Sequence, residues 1–268
     1  MEKQGQPKYP NLERLIGILE TLRGENGCAW DREQTHYSLK KNMIEEAYEA
    51  VDAIEDNDMV HLKEELGDVL LQVVLHSQIA KEEKAFDIDD VAKGISDKLV
   101  HRHPHVFGST KVSSTADILD NWEKLKAEEK KHRKSAMDGI SKAQSALMSA
   151  QKISKNAVKK GFEWPNEDSL WECFNSEAQE FKDAIAKGDK ENAEEELGDI
   201  LFAAVNLARW NKIDAEQALL KANRKFMARF RKMEEIAAKT PEKPMENYSF
   251  EEYDNLWKQA KKAVKENL

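Results

Sequence analysis

Apolar residues recur at three- and four-residue steps along almost the whole chain. Leu12, Leu15, Ile16, Leu19 and Leu22 open the series, and Leu39, Met43, Ile44, Ala47, Val51 and Ile54 continue it. Such spacing places the apolar side chains on one face of a helix. Further runs cover about 60–82, 88–102, 115–134, 143–160, 167–187, 190–211, 214–238 and 249–266, and sustained period-two alternation is missing. The predicted fold class is therefore all-α. Start and stop signals agree: Ser249 with Glu252 makes a capping-box pattern, Asp87 and Asp214 precede periodic runs, and Pro104 ends the run carrying Leu99. His103 to Ser114 and Lys239 to Tyr248 read as loops, and Lys130 to Ser145 as the boundary between halves. Val73, Val74 and Leu75 form an apolar face that is expected to need a partner surface.

The two halves repeat each other. Glu65-Leu66-Gly67-Asp68-Val69-Leu70 returns as Glu196-Leu197-Gly198-Asp199-Ile200-Leu201. Acidic pairs precede each copy, Glu46 with Glu49 and Glu177 with Glu180, and the spacing from Glu49 to Glu65 equals that from Glu180 to Glu196. Downstream, Lys98 and Arg102 correspond to Lys225 and Arg229, and Trp122 with Lys126 to Trp257 with Lys261; upstream, Trp30 and Trp164 each follow a glycine by three. Matches in one order predict a tandem duplication of a helical-bundle module: a flexible tail over 1–11, one module over 12–134, a linker over 135–145 and a second module over 146–268.

Residues three apart on a helix share a face, so Glu46 with Glu49 and Glu65 with Asp68 each project two carboxylates in one direction. A turn around Asn57 makes the helices antiparallel, and the four acids can converge; the same holds for Glu177, Glu180, Glu196 and Asp199. Glu65 lies at the edge of the stripe formed by Leu62, Leu66, Val69 and Val73, so it is not a plainly solvated acid. Carboxylates gathered beside apolar surface need a compensating proton or cation, and an all-oxygen donor set suits magnesium, or manganese. Magnesium commonly completes its shell with substrate phosphates. Lys225 and Arg229, like Lys98 and Arg102, supply positive charge for phosphate oxygens. An acid not fully committed to metal, Glu177 or Glu46, is the candidate to orient or deprotonate an attacking water. Gly67 and Gly198 recur beside the acids at a helical cost of about 1 kcal/mol each, which predicts close approach of another helix.

Composition narrows the class. Two cysteines far apart, Cys28 and Cys173, argue against a disulfide framework or a cysteine zinc site and fit a reducing cytoplasm. The net charge of −9 gives no basic excess for a nucleic-acid polymer, and neither a leader's apolar core nor a membrane span is visible. His101, His103 and His105 have no counterpart in the second half, which weakens a zinc reading. The Glu-x-x-His pairs Glu33/His36 and Glu129/His132 lack an apolar inward face, so a di-iron site is disfavoured. Walker-type and Gly-x-Ser-x-Gly motifs are absent. Trp122 and Trp257 suit a core or interface anchor as well as a base-stacking platform.

The order Gly27-Cys28-Ala29-Trp30-Asp31, Glu45-Glu46-Ala47-Tyr48-Glu49, Glu64-Glu65-Leu66-Gly67-Asp68 and Lys98-Leu99-Val100-His101-Arg102-His103-Pro104-His105-Val106-Phe107 resembles the bacterial MazG proteins. In the second half Gly161-Phe162-Glu163-Trp164, Glu177 with Glu180, Glu195-Glu196-Leu197-Gly198-Asp199, and Lys221 to Phe230 resemble their C-terminal module. The resemblance implies an all-α, homodimeric, magnesium-dependent pyrophosphohydrolase that converts nucleoside triphosphates to monophosphates and pyrophosphate with broad base specificity. By that carry-over Glu177, Glu180, Glu196 and Asp199 hold the metal, while Lys225, Arg229, Trp257 and Lys261 contact nucleotide. Glu195 and Trp164 join the nucleotide-binding set, as do Lys98, Arg102, Trp122 and Lys126 in the first half, where Glu46, Glu49, Glu65 and Asp68 form the matching metal set. The family usually has a second Glu just before the position of Glu177. This chain has Ser176 there, whereas the first copy keeps Glu45 and Glu46 together, so both sites are retained, the C-terminal one first. Alternatives are a narrow house-cleaning dUTP or dCTP pyrophosphatase, or one module that binds nucleotide without turnover; a regulatory protein partner is left open.

Overall fold

A computed structural model describes residues 8–129, 131, 133–239 and 243–265. Part of the expected tail (1–7), Lys130 and His132 near the boundary, and 240–242 in the second expected loop lie outside them. Among the described residues every regular element is helical. The chain forms two compact units, Met1–Lys130 and Lys131–Leu268.

In the first unit α1 (Pro10–Arg23), α2 (Ala29–Glu33), α3 (Lys40–Glu55), α4 (Met59–Glu82), α5 (Ile88–Arg102), α6 (Pro104–Phe107) and α7 (Thr115–Glu128) follow in order. A tight turn with Asn57 at φ 54° links α3 to α4, and the Asp58 carboxylate caps α4 by accepting from the Val60 and His61 amides at 3.0 Å each. Asp87 and Asp90 make a reciprocal capping box at the start of α5. The core joins Leu19, Leu39, Val74, Leu75 and Ile79.

Three expectations need correction here. Val74 and Leu75 are 2% and 4% exposed, because α1 lays Leu19 and its apolar neighbours against α4; they do not wait for another surface. Pro104 ends α5 but opens the four-residue α6 inside the expected loop, since proline fits a first helical turn. The run expected over 115–134 stops at Glu128.

The second unit contains α8 (Ala146–Val158), α9 (Glu167–Lys187), α10 (Lys190–Trp210), α11 (Ala215–Ala237), a 3-10 turn (Met245–Asn247) and α12 (Phe250–Lys265). Gly188, at φ 72°, reverses the chain between α9 and α10, a conformation that glycine adopts without a Cβ clash. The caps are local and polar: Asp189 accepts from the Asn192 amide at 3.2 Å, Asp214 from Gln217 at 2.9 Å, and Ser249 with Glu252 forms the reciprocal pair that opens α12. Helix α8 packs on α10, and α11 pairs with α12 around Met233, Leu256 and Ala260. No helix among the described residues is long and apolar enough to cross a membrane.

Candidate active sites

Each unit places an acidic helical hairpin where the repeat predicted one. On α3 and α4, carboxylate oxygens of Glu46, Glu49 and Glu65 lie within 4.8 Å of one another. On α9 and α10 the trio is Glu177, Glu196 and Asp199, within the same 4.8 Å, with Asp199 converging where the repeat would place Glu180. The fourth acid of each predicted set stands outside its trio, although Asp68 still acts electrostatically on Glu46 and Glu180 on Glu196. Partial desolvation, then the charges of Asp68, Glu49, Glu65 and Glu45, push Glu46 above the usual carboxylate range. Glu196 is raised for the same reasons, burial first and then Glu180, Glu177 and Asp199. Like charges packed this closely favour a compensating proton or cation, and an oxygen-only donor set is what a hard divalent ion accepts. The residues therefore fit magnesium.

The copies differ in their surroundings. Glu65 is 7% exposed and one oxygen lies 2.9 Å from His61 Nε2; the second unit has Asn192 at the matching position, four residues before Glu196. Ser176, which replaces an acid of the pattern, donates to Glu180 Oε1 at 2.9 Å and engages one of its oxygens. Cys173 lies 3.6 Å from Glu177 Oε1, and burial together with that carboxylate holds its thiol up and protonated. Gly67 and Gly198 do not mark a close approach within the chain: a Cβ at either position would meet nothing within 4 Å.

The downstream arginines and tryptophans pair in both units, which the sequence reading did not anticipate. Arg102 lies over the Trp122 ring at 5.3 Å and Arg229 over Trp257 at 5.5 Å. Arg102 also holds Glu129 in a two-pronged ion pair, its Nε at 3.0 Å from Oε1 and its other arm on Oε2. The pair keeps Glu129 below its ordinary range. Arg229 has a buried Nε with no hydrogen-bond partner among the described residues. Lys98, Lys225 and Lys261 are exposed, while Lys126 is half-buried and lies 3.7 Å from Glu123. His103 meets the Trp122 ring edge to face and its Nδ1 engages the Leu99 carbonyl at 2.6 Å, and it joins no metal-binding cluster among the described residues.

Beside the second trio a cavity of about 350 Å³ opens, lined by Glu177 and Asp199 and by apolar groups including Trp164, Ile153, Ala157 and Phe202. Gly161, at φ 87°, turns the chain after α8 so that Phe162, Glu163 and Trp164 reach this wall. Thus Trp164 is brought to the acids, whereas Trp30 is 59% exposed. Lys225, Arg229, Trp257 and Lys261 do not line the cavity, and Glu195 is exposed outside it. The sequence reading missed the cavity's polar wall of Ser154, Asn206 and Arg209. Its visible signal was a pair of polar residues three apart on α10, within the run that carries the buried Ala203, Val205 and Leu207.

The repeated acidic hairpin is also what comparison with known proteins finds. The profile of the MazG nucleotide pyrophosphohydrolase domain matches residues 34–107 and again 166–233. The chain belongs to the MazG family. It is 46% identical to the nucleoside triphosphate pyrophosphohydrolase/pyrophosphatase MazG of Thermotoga maritima, over 93% of this chain and 95% of that protein. It is 43% identical to the nucleoside triphosphate pyrophosphohydrolase of Escherichia coli K12, over 94% and 97%. An uncharacterised Bacillus subtilis protein, YabN, is 45% identical over 97% of this chain and 54% of its own length. Both MazG domain matches span an acidic trio, so family membership and the duplicated geometry concern the same two places.

Proposed function

We propose that this MazG protein hydrolyses nucleoside triphosphates to nucleoside monophosphates and pyrophosphate, with broad base acceptance, magnesium dependence and the second unit as its principal hydrolytic site. The observation that carries the reading is the convergence of three carboxylates within 4.8 Å in both units, beside a nucleotide-sized cavity in the second. Glu177, Glu196 and Asp199, with Glu180 adjoining, would hold the ion; in the first unit Glu46, Glu49 and Glu65 would, with Asp68. Bound there, magnesium supplies charge neutralisation for the triphosphate and lowers the pKa of water.

The chain's own groups account for the rest. Water oxygen attacks the α-phosphorus, the α–β anhydride bond breaks with its electrons passing to the leaving pyrophosphate, and the proton of the attacking water goes to a carboxylate. Glu177 is the candidate acceptor in the second unit and Glu46 in the first. Glu46 suits the task, because partial desolvation and then its acidic neighbours raise its affinity for a proton. Arg229, held over Trp257, is the cation assigned to phosphate oxygens through its guanidinium charge.

A second reading of the first unit has its own observation. Glu129 already occupies the guanidinium of Arg102, so that unit suits nucleotide binding without efficient turnover. Incubating the purified protein with each nucleoside triphosphate and Mg²⁺ tests the main reading: pyrophosphate and monophosphate should appear together. Orthophosphate and diphosphate as the products would show cleavage at the other anhydride and defeat it.

A further inference from the structure

Four polar side chains form a single relay across the wall of the second unit's cavity. Arg209 gives Nη1 and Nη2 to Glu163 at 2.7 and 2.6 Å, a bidentate ion pair, and Nε to Ser154 Oγ at 2.7 Å. Ser154 Oγ lies 2.5 Å from Asn206 Oδ1. A hydroxyl has one proton and two lone pairs; with a lone pair already taken by Arg209, its proton is directed to Asn206. The 2.5 Å separation belongs to the O–H···O range and falls below that of N–H···O, which fixes the amide with its oxygen towards Ser154. Ser154 and Asn206 are 4% and 8% exposed, and Asn206 donates no hydrogen bond to any described residue. Its NH₂ group is therefore an unspent donor on a nine-tenths buried side chain that lines the cavity.

We propose that Asn206 reads the nucleobase, turned by Ser154, Arg209 and Glu163 into a hydrogen-bond donor, so that the cavity favours nucleotides whose base presents a carbonyl oxygen over those presenting an amino group at the same place. The proposal rests on the nucleotide-hydrolase reading of this site. Trp164 supplies an apolar ring face in the same wall, and its own amide is held by Glu163 Oε1 at 2.9 Å, so one carboxylate fixes both the stacking surface and the donor. An amino group facing the Asn206 NH₂ leaves two donors opposed and one unpaired on desolvation, a mismatch that buried sites discriminate against more strongly than a lost apolar contact. The first unit has no such reader. Ten residues beyond Glu196 stands Asn206; ten beyond Glu65 stands Leu75, buried in the core.

Inosine and adenosine triphosphates make the test, because their bases differ in carrying oxygen or an amino group at one carbon. Pyrophosphate release from the full chain should show kcat/KM about tenfold higher for the inosine compound, the worth of one hydrogen bond in a buried site. Asn206→Leu should bring the ratio to about one, and Asn206→Asp, which presents an acceptor in place of the donor, should invert it. Ser154→Ala, which frees the amide to turn over, should also shrink the ratio, and Ser154→Thr should restore it. Affinities for inosine and adenosine monophosphates, measured by calorimetry without metal, give the same ratio independently of turnover. A ratio also cancels any loss of folded protein in a variant. Equal affinities in the wild type, or a preference that survives Asn206→Leu and Asn206→Asp, overturns the assignment. Absence of pyrophosphate release with the binding preference intact overturns the hydrolase reading and leaves Asn206 as the base reader.

Discussion

The ion pair between Glu163 and Arg209 gives a prediction whose size follows from its geometry. Two charge-assisted hydrogen bonds at 2.6 and 2.7 Å join side chains that are 29% and 10% exposed. A hydrogen bond to a charged group contributes roughly 1.5–3 kcal/mol net in a folded protein. Glu163→Gln keeps one acceptor for Arg209 and loses the charge and the second bond, so a destabilisation of about 2 kcal/mol is expected at neutral pH. Arg209 and Trp164 keep Glu163 below its ordinary range, and that sign fixes the pH dependence. A carboxylate with a depressed folded pKa contributes stability that is fully present above its unfolded pKa, about 4.3, and lost as the pH falls through the folded value. Hydrogen exchange on α8 and α10 should therefore show protection reduced by roughly thirtyfold in Glu163→Gln at pH 7. Denaturant titrations of both proteins should converge as the pH falls through the depressed folded-state value of Glu163. A difference below about 0.5 kcal/mol at pH 7, or one that persists undiminished in acid, would refute the claim that this pair anchors the cavity wall.

Other expectations bear on the division between the units. Glu196→Gln should remove most pyrophosphate release, by about a hundredfold or more, while Glu65→Gln should leave most of it; the reverse order in a steady-state assay would move the principal site to the first unit. Glu129→Gln releases Arg102 from its carboxylate and should tighten triphosphate binding several-fold in a Glu196→Gln background, as measured by calorimetry. Treatment with EDTA should abolish product formation, and added Mg²⁺ should restore it, if the carboxylate trios are cation sites. Leu170→Ala, at a position with no exposed surface, should cost about 2–5 kcal/mol in a urea titration through the cavity it leaves beneath α9.

Much of this architecture was legible in the sequence because it repeats or is periodic. Helices were marked by three- and four-residue spacing, and Glu46, Glu65, Glu177 and Glu196 by their place in a duplicated motif. The repeat aligned Arg102 with Arg229 and Trp122 with Trp257, but the stacking of each arginine on its tryptophan and the hold of Glu129 on one arginine emerge only in the structure. Val74 and Leu75 were misplaced because their cover comes from α1, a long-range contact with no local signature. Gly67 and Gly198 suggested a close helix approach that the chain itself does not make. Ser154, Glu163, Asn206 and Arg209 escaped for a different reason. They come from α8, from the turn after Gly161 and from α10, have no counterpart set in the first half, and acquire meaning only as hydrogen-bonded neighbours.

What the duplication kept and what it let go are therefore separable. The carboxylate trios depend on two adjacent helices and a tight turn, local features that a repeated segment carries, and both units have one, although Glu49 completes the first and Asp199 the second. The residues proposed to recognise phosphate and base come from elements further along the chain, and there the units part. Arg102 meets Glu129 where Arg229 keeps an unpaired Nε, and Leu75 fills core where Asn206 lines a cavity. A buried leucine cannot be replaced by asparagine without an unsatisfied amide, and an asparagine anchored by Ser154 cannot be replaced by leucine without stranding the hydroxyl proton that it accepts. Each state is thus held by its own packing, so the base reading proposed for the second unit rests on its hydrogen-bonded wall and not on the acidic motif that both units share.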